Sequence, residues 1–105
     1  MKKKTLISII NWNNNLATNA CLKSIALIPK NKQPDIYLAD NHSEKEKLKI
    51  DNKLVDKLKS FTFIQNNSNL GYAGGHNQAI KYAQEQDYDY ICLLNNVVFN
   101  YLSYF

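Results

Sequence analysis

The sequence predicts an α/β domain, a parallel sheet of about four strands with helices on both faces. Three observations predict it. Four apolar runs of strand length alternate with segments whose apolar residues recur at spacings of three and four. The strand runs are nearly unbroken in apolar character, which suits strands covered on both sides. Each run but the third closes directly on asparagine or aspartate, so polar side chains gather where the strands end.

The first strand is Leu6 to Ile10, interrupted only by Ser8 and closed by Asn11-Trp12-Asn13-Asn14-Asn15. Leu16, Ala20, Cys21, Ser24, Ile25 and Ile28 then predict one apolar face of a helix over about 15–28, with Pro29 and Pro34 punctuating its end. Ile36-Tyr37-Leu38-Ala39 is the second strand, finishing at Asp40-Asn41-His42. Ser43-Glu44-Lys45-Glu46 reads as a capping box that starts a helix carrying Ile50, Leu54, Val55 and Leu58 on its inner face. Aromatic and β-branched content marks Phe61 to Ile64 as the third strand. A polar loop from Gln65 to Gly75 follows, then a helix over about 75–86 with Ala79, Ile80 and Ala83 inward. Tyr90 to Leu94 is the fourth strand, stopping at Asn95-Asn96. Residues 1–105 are read as a single domain, because 105 residues build one modest core and not two.

Composition narrows the function. Lysine outnumbers acid, giving a net charge of +4, yet the chain contains no arginine. Without the bidentate guanidinium fork, sequence-specific nucleic-acid recognition is not expected, and the lysines read as a solvated basic surface. No apolar run approaches the roughly 18 residues of a membrane-spanning helix. Met1-Lys2-Lys3-Lys4 before the first strand imitates a signal peptide, but its apolar stretch stops at Asn11 with no small-residue cleavage site. Cys21 and Cys92 lack metal-ligand spacing and sit in apolar runs, so they read as buried free thiols of a cytoplasmic protein.

In open parallel sheets ligands bind beyond the carboxyl ends of the strands. Asp40 stands at such an end, where its carboxylate can accept from a nucleobase imide or a ribose hydroxyl, or else form an Asx-turn into the next helix. Trp12 can stack on a base or cover the sheet edge, and composition favours packing. His42 has no partner at metal-ligand spacing and reads as a loop residue. The run Asn69-Leu70-Gly71-Tyr72-Ala73-Gly74-Gly75-His76-Asn77 matches neither common phosphate fingerprint, although its glycines would allow close backbone approach to a ligand. A phosphoacceptor receiver domain is excluded, since Asn11 and Trp12 stand where an acidic pair is required.

Taken in order, Ile9-Ile10-Asn11-Trp12-Asn13, Asp40-Asn41-His42-Ser43, Asn69 to Ile80 and Leu93-Leu94-Asn95-Asn96 resemble the motifs of family 2 glycosyltransferases, in particular the rhamnosyltransferase-like branch. The resemblance implies the donor-nucleotide-binding half of a GT-A fold, a truncated three-layer Rossmann-like sheet. It implies a nucleotide site containing Asn11, with Trp12 and Asp40 bordering the base, Gly71, Gly74 and Asn77 shaping the pocket, and Asn95 and Asn96 approaching the ribose and diphosphate. The expected ligand is a UDP- or dTDP-sugar donor.

Two departures qualify what the resemblance implies. Family members follow Leu-Leu-Asn-Asn with an Asp that holds Mg²⁺ or Mn²⁺ against the donor diphosphate; here Val97 stands in that place, and an isopropyl group offers a hard cation nothing. The acceptor half and the carboxylate that serves as general base lie further downstream in the family than Phe105. The expectation is therefore a glycosyltransferase-family domain that is incomplete or inactive by itself, with no catalytic residue and no metal of its own. The alternative is a non-catalytic nucleotide-binding or protein-interaction module. The apolar, aromatic stretch from Val98 to Phe105 suggests a homo-oligomer, and membrane association is expected only through further segments or partners.

Overall fold

The computed structural model describes residues 3–94. Four parallel strands, β1 (Thr5–Asn11), β2 (Asp35–Asp40), β3 (Phe61–Gln65) and β4 (Tyr90–Leu94), form one sheet in the order β3-β2-β1-β4. The expected α/β class holds, and the described residues contain the expected four strands. Helices α1 (Asn15–Ala26), α2 (Asn52–Val55) and α3 (Gly71–Glu85) connect the strands.

The pleat sorts side chains onto two cores. Ile9, Ile36 and Leu38 point towards α1 and the 48–58 segment, where Cys21, Leu22, Ile25 and Leu58 are buried with them. Leu6, Tyr37 and Ala39 point the other way, against Ala79 and Ala83 of α3. The sheet is thus covered on both faces in three layers. Strand order reverses between β1 and β4, because the chain moves outward through β2 and β3 and then returns across β1.

Five expectations need correction. No helix starts at Ser43: residues 41–51 are irregular, and α2 is a single turn over Asn52–Val55 with Asp51 as its N-cap. The groups of the expected capping box are engaged elsewhere. Ser43 Oγ donates to Asp40 Oδ1 (2.6 Å) and accepts from Asn13 N (2.8 Å), while Glu46 Oε1 accepts from Asn15 N (3.0 Å). The glycine run is not a loop to Gly75, since α3 begins at Gly71 and runs through it. The inner face of α1 is Ala17, Thr18, Cys21, Leu22 and Ile25, whereas Leu16, Ser24 and Ile28 are exposed. Cys92 is exposed on β4, and only Cys21 has the buried environment expected of both; burial, with Cys92 nearby, pushes the Cys21 thiol up to about 11. Finally, Trp12 is 55% exposed and does not pack over the sheet.

The ends of α3 show how the fold is fixed locally. At its start Gly75 lets the helix lie against the sheet, since a Cβ there would stand 2.7 Å from Ile10 Cδ1 and 3.3 Å from Asn41 Nδ2. At its end Asp87 takes a left-handed conformation (φ 57°), and Tyr88 N returns to Ala83 O (2.9 Å) in a Schellman closure. Tyr88 then donates to Asp35 Oδ2 (2.6 Å) at the start of β2.

Candidate functional site at the carboxyl ends of the strands

Asn11 and Asp40 are the last residues of two adjacent strands and are paired in register. Both side chains are buried, Asp40 with 2% exposure. Asn11 Nδ2 donates to Asp40 Oδ1 (2.8 Å), and Asn11 Oδ1 accepts from the Thr18 hydroxyl of α1. Ser43 adds two further donors to Asp40, its hydroxyl to Oδ1 and its amide to Oδ2 (3.1 Å). Gln65 Nε2, from the end of β3, donates to Oδ2 (2.8 Å). Burial pushes the Asp40 carboxyl up, but the bonds from Ser43, Asn11 and Gln65 outweigh it and hold the group below its ordinary range. Four donors occupy the roughly four lone-pair positions of a carboxylate. The Asx-type turn and the buried anion are therefore one arrangement.

A second network fastens α3 to the same strand ends. Asn41 Nδ2 donates to Gly71 O (3.1 Å), Asn66 Nδ2 donates to Asn41 Oδ1 (2.9 Å), and Asn66 and Gln78 exchange amide hydrogen bonds at 3.0 Å. Neither Asn66 nor Gln78 stands out in the sequence. Only their polarity beside strand and helix ends could have marked them.

Between these networks and solvent lie two clefts. One, of about 570 Å³, is bounded by Asp40, Ser43, Gln65 and Asn66; the other, of about 420 Å³, by Trp12, Asn13, Ser68 and Asn69. His42, Glu44 and Asn67 border both. His42 adopts φ 59° and its Nε2 lies 2.8 Å from Glu44 Oε1, so the loop reading fits its place. The sequence-predicted residues thus separate into three groups. Asn11, Trp12 and Asp40 converge on the carboxyl ends of β1 and β2. Gly71, Gly74 and Asn77 lie on α3 and border neither cleft. Asn95 and Asn96, together with Val97 and the 98–105 stretch, lie outside the described residues.

Beneath α3 lies a pair the sequence reading did not single out. Ser8 Oγ and His76 Nδ1 are 2.7 Å apart, both residues are buried, and Tyr72 stands edge-on to the imidazole at 4.5 Å. His76 Nε2 has no hydrogen-bond partner among the described residues, and burial holds its pKa below the usual histidine value.

Val97, which stands where the resemblance implies a metal-holding carboxylate, lies outside the described residues. Among the described residues no three His, Cys, Asp or Glu side chains converge as a cation site would require. Asp40, the one buried carboxylate here, already has its acceptor positions filled. Among those residues, too, no helix is long and apolar enough to cross a membrane.

No curated protein and no solved structure matches the chain. The family model described as glycosyl transferase family 2 matches residues 7–96, a span that takes in β2, β3, β4, all of β1 but its first two residues, and both hydrogen-bond networks. On that match, the chain belongs to glycosyl transferase family 2.

Proposed function

We propose that this domain binds the nucleotide of a UDP- or dTDP-sugar donor in the paired clefts at the carboxyl ends of β1–β3, and that it does so with little dependence on Mg²⁺ or Mn²⁺. The observation that carries the reading is the placement of half-exposed Trp12 and buried Asp40 on two neighbouring clefts of a family 2 domain, both bordered by His42, Glu44 and Asn67. Trp12 offers an aromatic face to the base. Asp40 accepts from the base imide when Gln65, the donor on the exposed outer strand, gives up its bond. Following the resemblance, Gly71, Gly74 and Asn77 shape the nucleotide pocket from α3, Asn95 and Asn96 approach the ribose and diphosphate, and the Asn69–Asn77 run supports the rhamnosyltransferase-like branch. Weak metal dependence follows from Val97 and from the filled acceptor positions of Asp40. Self-association of the domain completes the reading.

Trp12 is the one tryptophan of the chain, so its fluorescence reports directly on the cleft. UDP and dTDP should quench it saturably, and calorimetry with and without Mg²⁺ should give nearly the same affinity. Trp12→Ala should weaken binding by about 1–3 kcal/mol, the range of base–aromatic stacking. Absence of binding by either nucleotide would leave a non-catalytic interaction module as the better reading, and a large gain with metal would show that a cation site exists.

A further inference from the structure

Helix α1 carries a second apolar stripe besides the one it buries. Leu16, Ala20 and Leu27 follow at intervals of four and seven residues, so they share one face of the helix and its C-cap. This stripe does not meet the sheet. Leu16 is 82% and Leu27 83% exposed, and they stand roughly 16 Å apart along the helix axis at 1.5 Å per residue. Between them a groove of about 740 Å³ runs between α1 and the 49–57 segment, floored by Ala20, Ala26 and Leu54. Its polar rim is mostly cationic: Lys23 on one side and Lys49, Lys53 and Lys57 on the other, with neutral Asn19 and the single acid Asp51. Among the described residues none of these four ammonium groups is held in a salt bridge.

We propose that this face docks on a membrane surface bearing anionic lipid headgroups. Protruding leucines at both ends of a lysine-rimmed apolar strip match the two contributions of peripheral membrane binding, apolar insertion into the interface and attraction to negative headgroups. The charge of the rim selects an anionic surface. The outward projection of Leu16 and Leu27 selects a bilayer over a helical peptide, which would sit on the groove floor and leave both leucines in water. The fold creates this patch by bringing together lysines from segments some thirty residues apart in sequence.

Vesicle co-sedimentation of the intact chain tests the proposal. Phosphatidylcholine vesicles mixed with phosphatidylglycerol should bind the protein, vesicles of phosphatidylcholine alone should not, and added salt should weaken the binding. Lys53→Glu should lower affinity by roughly fivefold or more, as expected for a lysine at an anionic surface. The equally charged change Lys81→Glu, on exposed α3 surface across the sheet, should leave it within about twofold, since that site lies beyond the screening length. Leu16→Ser with Leu27→Ser should cost roughly tenfold through lost apolar insertion. All the substituted positions are exposed, so circular dichroism should match wild type. Three results would each overturn the proposal: no binding to the mixed vesicles, equal losses at Lys53 and Lys81, or full binding by the double leucine variant. Capture of an acidic amphipathic peptide without vesicle binding would also overturn it, reassigning the groove to a polypeptide.

Discussion

Asp40 is the most heavily hydrogen-bonded side chain at the strand ends, and its removal strands donors rather than merely deleting an acceptor. In Asp40→Ala the amide of Asn11 and the hydroxyl and amide of Ser43 lose a buried partner, while Gln65 can turn to water. A loss of about 2–4 kcal/mol in urea unfolding at neutral pH is expected, because unsatisfied buried donors cost about 1–3 kcal/mol each and some relax. The same carboxylate makes stability depend on acid. Its folded pKa lies below the ordinary aspartate value, so its contribution is complete above about pH 4 and fades as pH falls through the folded value. Asp40→Asn should flatten that part of the stability–pH curve. His76 acts in the same direction at higher pH. Burial depresses its pKa, so the unfolded chain takes up a proton first, and stability should fall as pH drops below about 6.5. His76→Leu should remove this slope while leaving the Ser8 hydroxyl without its imidazole partner. If His76 does not titrate there, unfolding midpoints measured between neutral and mildly acid pH would change in parallel in the two proteins.

At the scale of elements, the asparagine cluster after β1 replaces a helix that local sequence favours. Asn13 Oδ1 accepts from Lys45 N and Glu46 N, both at 3.1 Å. Asn15 donates to Lys47 O (2.7 Å) and accepts from Lys49 N (2.8 Å), and Asn19 donates to Lys49 O (2.9 Å). These amides hydrogen-bond the 45–49 backbone much as a neighbouring strand would, which explains why an apparent capping box and a helical apolar period yield an irregular segment. Asn15→Ala should cost about 1–2 kcal/mol, from two partly exposed hydrogen bonds, and should speed amide exchange at Lys49 without changing exchange in β2. Uniform acceleration throughout the chain would mean that Asn15 supports global stability instead. The strands and α1 were legible because their apolar runs, period and proline stops are local signals. The 43–51 segment was not, since its partners come from some thirty residues earlier. The glycine run was legible as a place of close approach, and one such approach is that of Gly75 to Ile10 of the sheet; that α3 begins at Gly71 was not legible. The placement of Asp40 and Trp12 beyond the strand ends was legible, but nothing local announces that Gln65, Ser43 and Asn11 fill the Asp40 oxygens.

For the whole molecule, a right-handed parallel fold with helices between strands follows from the alternation of patterns, whereas the order β3-β2-β1-β4 emerges only from which faces the helices cover. That order makes β3 and β4 the outer strands among the described residues. They differ in what they offer a partner. β3 ends in Gln65, engaged with Asp40, and carries Phe63 at 42% exposure. β4 exposes Tyr90, Cys92 and Leu93, an apolar strand with no charged side chain on it. An uncharged outer strand is the kind of edge that pairs with another chain, and lysine is the residue that natural sheets use to prevent such pairing. Self-association is therefore expected through β4. Sedimentation velocity under reducing conditions, which exclude a disulfide through exposed Cys92, should show a dimer for the wild-type chain, a monomer for Leu93→Lys and an unchanged dimer for Phe63→Lys. A monomeric wild type would reject association, and a dimer lost only in Phe63→Lys would move the contact to β3 on the far side of the sheet.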